Sequence, residues 1–216
     1  MFGIKRNARR RDVEAGRHRS LNDPVVTGAG CGLIEGTRVA GRGGWVPIEH
    51  LSVGDEVLTF DHGFQKLTAL IRDEAWSEEK LCPKVLWPLV VPAGTLDNRE
   101  DLWVLPHQGV LIECEDVSDA HGDPYAVAPG AALEVLPGVH RQQPGGSADA
   151  FMPVFDQDQM IFANHGGLMF CPSHWGLREG LLPMNNGVTG YRMLTVGAAK
   201  ALLEVMLDAG DDVAVA

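Results

Sequence analysis

Cysteine is scarce in this chain, and long apolar runs are lacking. The four cysteines among its 216 residues are Cys31, Cys82, Cys114 and Cys171. So few cysteines at this length do not form a disulfide framework, so we expect reduced thiols and a cytoplasmic protein. The richest apolar run, KVLWPLVVPAG, is short and is interrupted by Pro88 and Pro92. We therefore expect no membrane-spanning segment.

Basic residues are also few, and they are concentrated near the N-terminus. The chain has 18 Lys and Arg against 29 Asp and Glu, a net charge of −11. Residues 1–30 hold seven basic and three acidic side chains, a net charge of +4, so the remainder carries −15. No apolar run follows ARRRDVEAGRHRS, so we expect neither a secretory nor a twin-arginine signal. The acidic body is a poor nucleic-acid binder, whereas the tail could contact an acidic partner, a phosphate backbone or the body itself.

Short β-prone segments separated by turns indicate a mainly β protein. They include GTRVA, GWVPI, DEVLTFD, DLWVL, GVLIEC, YAVA, FMPVF and QMIFA, within a chain of 26 glycines and 13 prolines. LPGVHRQQPGGSADA, residues 136–150, is typical of a long surface loop. The pattern after Thr195 predicts one helix that ends near Gly210 and packs on the sheets. We expect a flexible basic segment at 1–30, a β domain at 31–190, and a C-terminal helix and tail at 191–216.

Cys31 lies between Gly30 and Gly32, at the junction of the basic tail and the β-rich body. A thiolate beside its own peptide carbonyl can attack that carbonyl through a five-membered ring and convert the amide into a thioester. The two glycines would permit the tight backbone that this chemistry requires. An inert, buried thiol is the alternative that these residues alone leave open.

The stretch CGLIEGTRVAGRGGWVPIEHLSVGDEVLTFDHG resembles the opening block of the Hint domain, which hedgehog autoprocessing modules and inteins share. It is most similar to the bacterial hedgehog/intein-like group, and looser similarity continues to about residue 207. The resemblance implies a pseudo-twofold, all-β horseshoe with a short C-terminal helix. It also implies autocatalytic cleavage: Cys31 attacks the Gly30 carbonyl, and water or a small thiol opens the thioester and releases the N-terminal segment.

The second block of the family has the pattern Thr/Ser-x-x-His, and the segment LPHQ departs from it. Alignment on Pro106 puts Leu105 at the hydroxyl position and Gln108 at the histidine position, with His107 one residue early. A local turn could still bring His107 to Cys31 as a proton donor. Gln108 could donate a hydrogen bond to the oxyanion but cannot transfer a proton.

Other candidates follow from the same resemblance. We expect Thr37 as a polar neighbour of Cys31. Asp73 is a candidate for the activating carboxylate, and the alternative, which the residue type favours, is a solvated loop residue. No His-Asn pair stands before a Cys, Ser or Thr at the end of the domain, so we expect cleavage without splicing. The spacing of Cys171 and His174 lacks a second close pair, so we expect no metal and no cofactor. If the site is disarmed, the chain is instead an interaction or structural module on the same fold.

Overall fold

The computed structural model describes residues 30–76, 82–173 and 190–209. The strands along these ranges are β1 Leu33–Ile34, β2 Arg38–Gly41, β3 Gly44–Pro47, β4 Glu56–Thr59, β5 Gly63–Lys66, β6 Ala69–Trp76, β7 Leu89–Val91, β8 Leu102–Val104, β9 Gly109–Glu113, β10 Tyr125–Pro129, β11 His140–Arg141, β12 Ala148–Val154, β13 Gln159–Ala163, β14 Gly167–Cys171 and β15 Arg192–Met193. The helical elements are the 3₁₀ helices Ile48–His50, Lys84–Leu86 and Gly130–Val135, and helix α1 Val196–Ala209. The mainly β fold with a short C-terminal helix is confirmed.

The described strands form two sheets. The smaller sheet has the strand order β11-β7-β8-β1-β12-β6. The larger sheet has the order β15-β10-β9-β14-β13-β2-β4-β5, with β3 paired to β2. One contiguous apolar core is shared by both, since it includes Leu33 and Leu102 of the smaller sheet together with Val110 and Ile161 of the larger one. The segment 105–108 leads from β8 of the smaller sheet into β9 of the larger one and so connects the two sheets.

Helix α1 follows the sequence prediction at its start. The Thr195 hydroxyl accepts a hydrogen bond from the Ala198 N–H at 3.2 Å, which is the N-cap contact expected of threonine. Leu203 and Met206 are buried on the inner side of the helix, which packs on β10 and on the 3₁₀ helix Gly130–Val135. The predicted C-cap residue, Gly210, lies outside the described residues.

The predicted long loop over residues 136–150 is only partly correct. His140 pairs with Val90 across β11 and β7, and Ala148 begins β12. Proline and glycine therefore separate two strands here instead of marking one continuous loop.

The basic N-terminal segment predicted at residues 1–30 lies outside the described residues, except for Gly30. No helix within the described ranges is long and apolar enough to cross a membrane.

Candidate functional site

Strand pairing places Cys31 next to the segment that joins the two sheets. β1 lies between β8 and β12 in the smaller sheet, and Leu33 pairs with Val104 in antiparallel register. Because the chains run in opposite directions, the residues before Leu33 lie beside those that follow Val104. Cys31 and Gly32 thus meet the segment 105–108, which leads from β8 into β9.

The segment 105–108 is a tight turn. The Gln108 N–H donates to the Leu105 carbonyl at 3.0 Å, which closes the turn. Its outer side is held by the chain at the start of the 3₁₀ helix 130–135, where the Gly130 N–H donates to the Gln108 carbonyl and the Ala131 N–H donates to the Pro106 carbonyl, both at 2.8 Å. Strand alternation does not apply in such a turn, so neighbouring side chains can approach the same peptide.

Gln108 contacts the cysteine and the residue after it. Its Oε1 atom accepts the Gly32 N–H at 3.0 Å and lies 3.8 Å from Cys31 Sγ, which donates to it. Its Nε2 atom donates to the Gly109 and Phe170 carbonyls, each at 2.9 Å. Both amide protons are thereby committed, so Gln108 presents an acceptor to the thiol. Donation by Gln108 to an oxyanion, as expected from the sequence, would require one of these two hydrogen bonds to be exchanged.

His107 contacts the residue on the other side of the Gly30–Cys31 bond. Its backbone N–H donates to the Gly30 carbonyl at 2.7 Å. Its ring is buried at 4% exposure, and a Cβ placed on Gly30 would lie 3.1 Å from the ring Nδ1. The turn therefore brings His107 to the carbonyl side of the bond and Gln108 to the thiol side.

The backbone around the cysteine has a conformation that favours glycine on both sides. Gly30 has φ of 96° and Gly32 has φ of 111°, in the region that other L-residues rarely adopt. A Cβ on Gly32 would also lie 3.2 Å from the Phe151 carbonyl oxygen of β12. The prediction that these two glycines permit a tight backbone is confirmed.

The Cys31 thiol is strongly disfavoured as a thiolate. Cys31 is partly exposed as a residue and packs against the shared core, and burial raises the pKa of its thiol to about 12, although a hydrogen bond from the Gly32 backbone acts in the opposite direction. At neutral pH about one molecule in 10⁵ then carries the thiolate. Burial also raises the pKa of Cys171 well above its ordinary value, with a smaller contribution from the charge of Cys31.

The remaining predicted residues, Thr37 and Asp73, have other partners. Thr37 is buried at 5% exposure; its backbone N–H donates to the Ile34 carbonyl, and its carbonyl accepts a hydrogen bond from the Ile48 N–H. Asp73 is exposed on β6, where it pairs with Ala150 of β12, and its Oδ1 accepts the Glu74 N–H at 2.8 Å. Two strand spacings, roughly 10 Å, separate β6 from β1. Asp73 is thus a strand residue and not the loop residue offered as the alternative.

Leu105 occupies the position of the family's hydroxyl residue, but its side chain is buried in an apolar cluster. It is 1% exposed and belongs to a second apolar cluster with Ile34, Trp76 and Ala150.

Leu86 is a further neighbour of the site, since a Cβ on Gly30 would lie 3.6 Å from its Cδ2. The sequence did not reveal this contact. No sequence signal distinguishes Leu86 from other apolar residues. Within the described residues, no group of three or more His, Cys, Asp and Glu side chains could hold a metal ion.

The chain is similar to known proteins in one family model and in two solved structures. A family model for the Hint domain matches residues 31–168. The chain is similar to the solution structure of a bacterial intein-like domain from Clostridium thermocellum, with 12% identity, a TM-score of 0.42, and coverage of 64% of this chain and 97% of that one. It is also similar to a GSH-linked, splice-inactive variant of the AceL NrdHF class 3 split intein, with 15% identity, a TM-score of 0.35, and coverage of 65% and 97%. No curated protein matches the chain.

Proposed function

Because the chain belongs to the Hint domain family, we propose that it cleaves itself at the Gly30–Cys31 peptide bond. Cys31 Sγ attacks the Gly30 carbonyl carbon, the Cys31 amide nitrogen leaves, and a thioester replaces the amide. Water or a small thiol then opens the thioester and releases residues 1–30. The observation that carries this proposal is the contact of 2.7 Å between the His107 N–H and the Gly30 carbonyl oxygen, next to a thiol held by Gln108.

The His107 backbone N–H supplies the electrostatic part of the mechanism. The Gly30 oxygen gains negative charge as the sulfur attacks, and a fixed donor that already points at this oxygen stabilises that charge. Gly30 is buried, so the interaction is weakly screened by solvent. Because the donor belongs to the backbone of a closed turn, it needs no side-chain reorganisation during the reaction.

The proton transfers must involve a group other than Gln108. The thiol proton has to leave Cys31, and the departing amide nitrogen has to gain a proton. Gln108 accepts the thiol hydrogen bond but cannot take up the proton. The His107 ring lies beside Gly30 and can both accept and donate a proton, so we assign it the acid–base role. The net result moves one proton from sulfur to nitrogen without any external oxidant or reductant.

The partners of this reaction follow from its chemistry. The substrate is the chain's own N-terminal segment, so each molecule reacts once. In a reducing, cytoplasmic environment small thiols compete with water as the acceptor. The released segment carries a net charge of +4, and an acidic partner is the class that it would bind most favourably.

The test is intact-mass analysis of the purified full chain with and without dithiothreitol. We expect a fragment that begins at Cys31 together with residues 1–30, and faster cleavage with the thiol. Cys31→Ala should give only the full-length mass. Cys82→Ala removes another partly exposed free cysteine and is the matched control, which should cleave like the parent. A full-length mass under both conditions in the parent contradicts the proposal.

A second candidate function is a disarmed Hint-fold module that binds a partner without cleavage. The raised pKa of Cys31 and the full commitment of the Gln108 amide favour this alternative. Gln108→His separates the two functions, because it puts a titratable group where Oε1 now lies 3.8 Å from the sulfur. Cleavage in this variant but not in the parent would support the disarmed module, and cleavage in both supports self-processing.

A further inference from the structure

Leu86 flanks the carbonyl that the proposed reaction attacks. A Cβ placed on Gly30 would lie 3.6 Å from Leu86 Cδ2 and 3.1 Å from His107 Nδ1. A leucine methyl group and the imidazole ring therefore stand close to the same Cα atom. Any acceptor that opens a thioester at Gly30 has to reach the carbonyl carbon bonded to that atom.

Leu86 is more exposed than the two buried residues next to the Gly30–Cys31 bond. His107 is 4% exposed and Gln108 is 1% exposed, so both residues are buried in the protein. Leu86 is only partly buried. Of Leu86, His107 and Gln108, Leu86 is therefore the residue that has the most contact with solvent.

The backbone that carries Leu86 is held by several hydrogen bonds. The 3₁₀ helix Lys84–Leu86 is closed by the Leu86 N–H, which donates to the Pro83 carbonyl at 2.8 Å. The Arg141 guanidinium donates to the Val85 and Trp87 carbonyls at 3.1 Å and 3.2 Å, on either side of Leu86. These bonds fix the position of the Leu86 backbone next to Gly30.

We propose that Leu86 determines which acceptors can open the thioester, by limiting their size. This inference rests on the proposed self-cleavage. Compact acceptors such as water, hydroxylamine and short aliphatic thiols pass the leucine methyl groups, whereas the tripeptide thiol glutathione is hindered. In the step itself, the nucleophilic atom of the acceptor (sulfur of a thiol, oxygen of water or nitrogen of hydroxylamine) bonds to the Gly30 carbonyl carbon, the bond from that carbon to Cys31 Sγ breaks, and the acceptor's proton ends on Cys31 Sγ.

The test compares cleavage rates with glutathione and with hydroxylamine in the full chain. The parent should react faster with hydroxylamine, and Leu86→Ala should raise the glutathione-to-hydroxylamine rate ratio at least about tenfold, the lower end of the discrimination that one methylene group gives in an apolar pocket. Val85→Ala on the same 3₁₀ helix is the matched control, since Val85 is 55% exposed, and its ratio should equal that of the parent.

Three outcomes overturn the inference, in two distinguishable ways. Cleavage by hydroxylamine with an unchanged ratio in Leu86→Ala shows that Leu86 does not limit acceptor size, while self-cleavage stands. An equal change of the glutathione-to-hydroxylamine ratio in Leu86→Ala and in Val85→Ala also shows that Leu86 does not limit acceptor size. No cleavage of the parent by either acceptor contradicts self-cleavage itself, and the inference fails with it.

Discussion

The stability of the protein should depend on pH through the buried thiol of Cys31. Burial raises the pKa of this thiol from 9.0 to about 12 in the folded state. The unfolded chain exposes the thiol, which then titrates near its ordinary value. Below pH 9 both states hold the proton; as the pH rises further, the unfolded state loses it first. The free energy of unfolding therefore falls by about 1.4 kcal/mol per pH unit in the window between the two pKa values.

The size of this effect can be measured against Cys31→Ala. Between about pH 9 and pH 10.5 the parent should lose about 2 kcal/mol more than the variant. The assay is urea unfolding followed by tryptophan fluorescence, on samples whose intact mass is checked. Ionisation of tyrosine and lysine affects both proteins equally and cancels in the difference. Parallel pH dependence in the two proteins would refute the conclusion that the thiol is desolvated.

Three further predictions concern the turn 105–108 and its partner glycine. His107→Gln should slow thiol-induced cleavage by about 10²-fold or more, because it removes the acid–base group; an unchanged rate by intact-mass analysis would exclude that role. Gln108→Ala removes hydrogen bonds to Gly32, Gly109 and Phe170, so urea unfolding should show a loss of about 3 kcal/mol, and a loss below about 1 kcal/mol would contradict the network. Gly30→Ala should slow cleavage and lower the free energy of unfolding by about 1 kcal/mol or more, since its φ is 96° and the new methyl group meets the His107 ring; unchanged cleavage and stability would show that Gly30 is not constrained.

Much of the fold could be predicted from local patterns. Alternating and β-branched segments indicated the strands from β2 to β4 and from β8 to β10, because strand periodicity is encoded within a few residues. The start of helix α1 was visible in Thr195, whose hydroxyl caps the helix. β11 was missed because His140 and Arg141 form a strand only through pairing with β7, which no local pattern encodes.

The geometry of the site was less accessible to sequence. Cys31 and its two glycines could be singled out from the chain itself and from the resemblance to the family. In a strand, a displacement of one residue would turn the His107 side chain to the opposite face, but the structure shows a closed turn in which strand alternation does not apply. The orientation of the Gln108 amide depends on the Phe170 carbonyl, 62 residues away, and such a contact leaves no trace in the sequence.

The central claim is that Cys31 forms a thioester with Gly30, and trapping with hydroxylamine tests it most directly. Hydroxylamine attacks the thioester carbonyl and should release residues 1–30 as a C-terminal hydroxamate at Gly30. The remaining fragment should begin with Cys31 when its N-terminus is sequenced. Cys31→Ala should yield neither product. Recovery of only the full-length chain from the folded parent, after prolonged treatment with hydroxylamine, would contradict the claim.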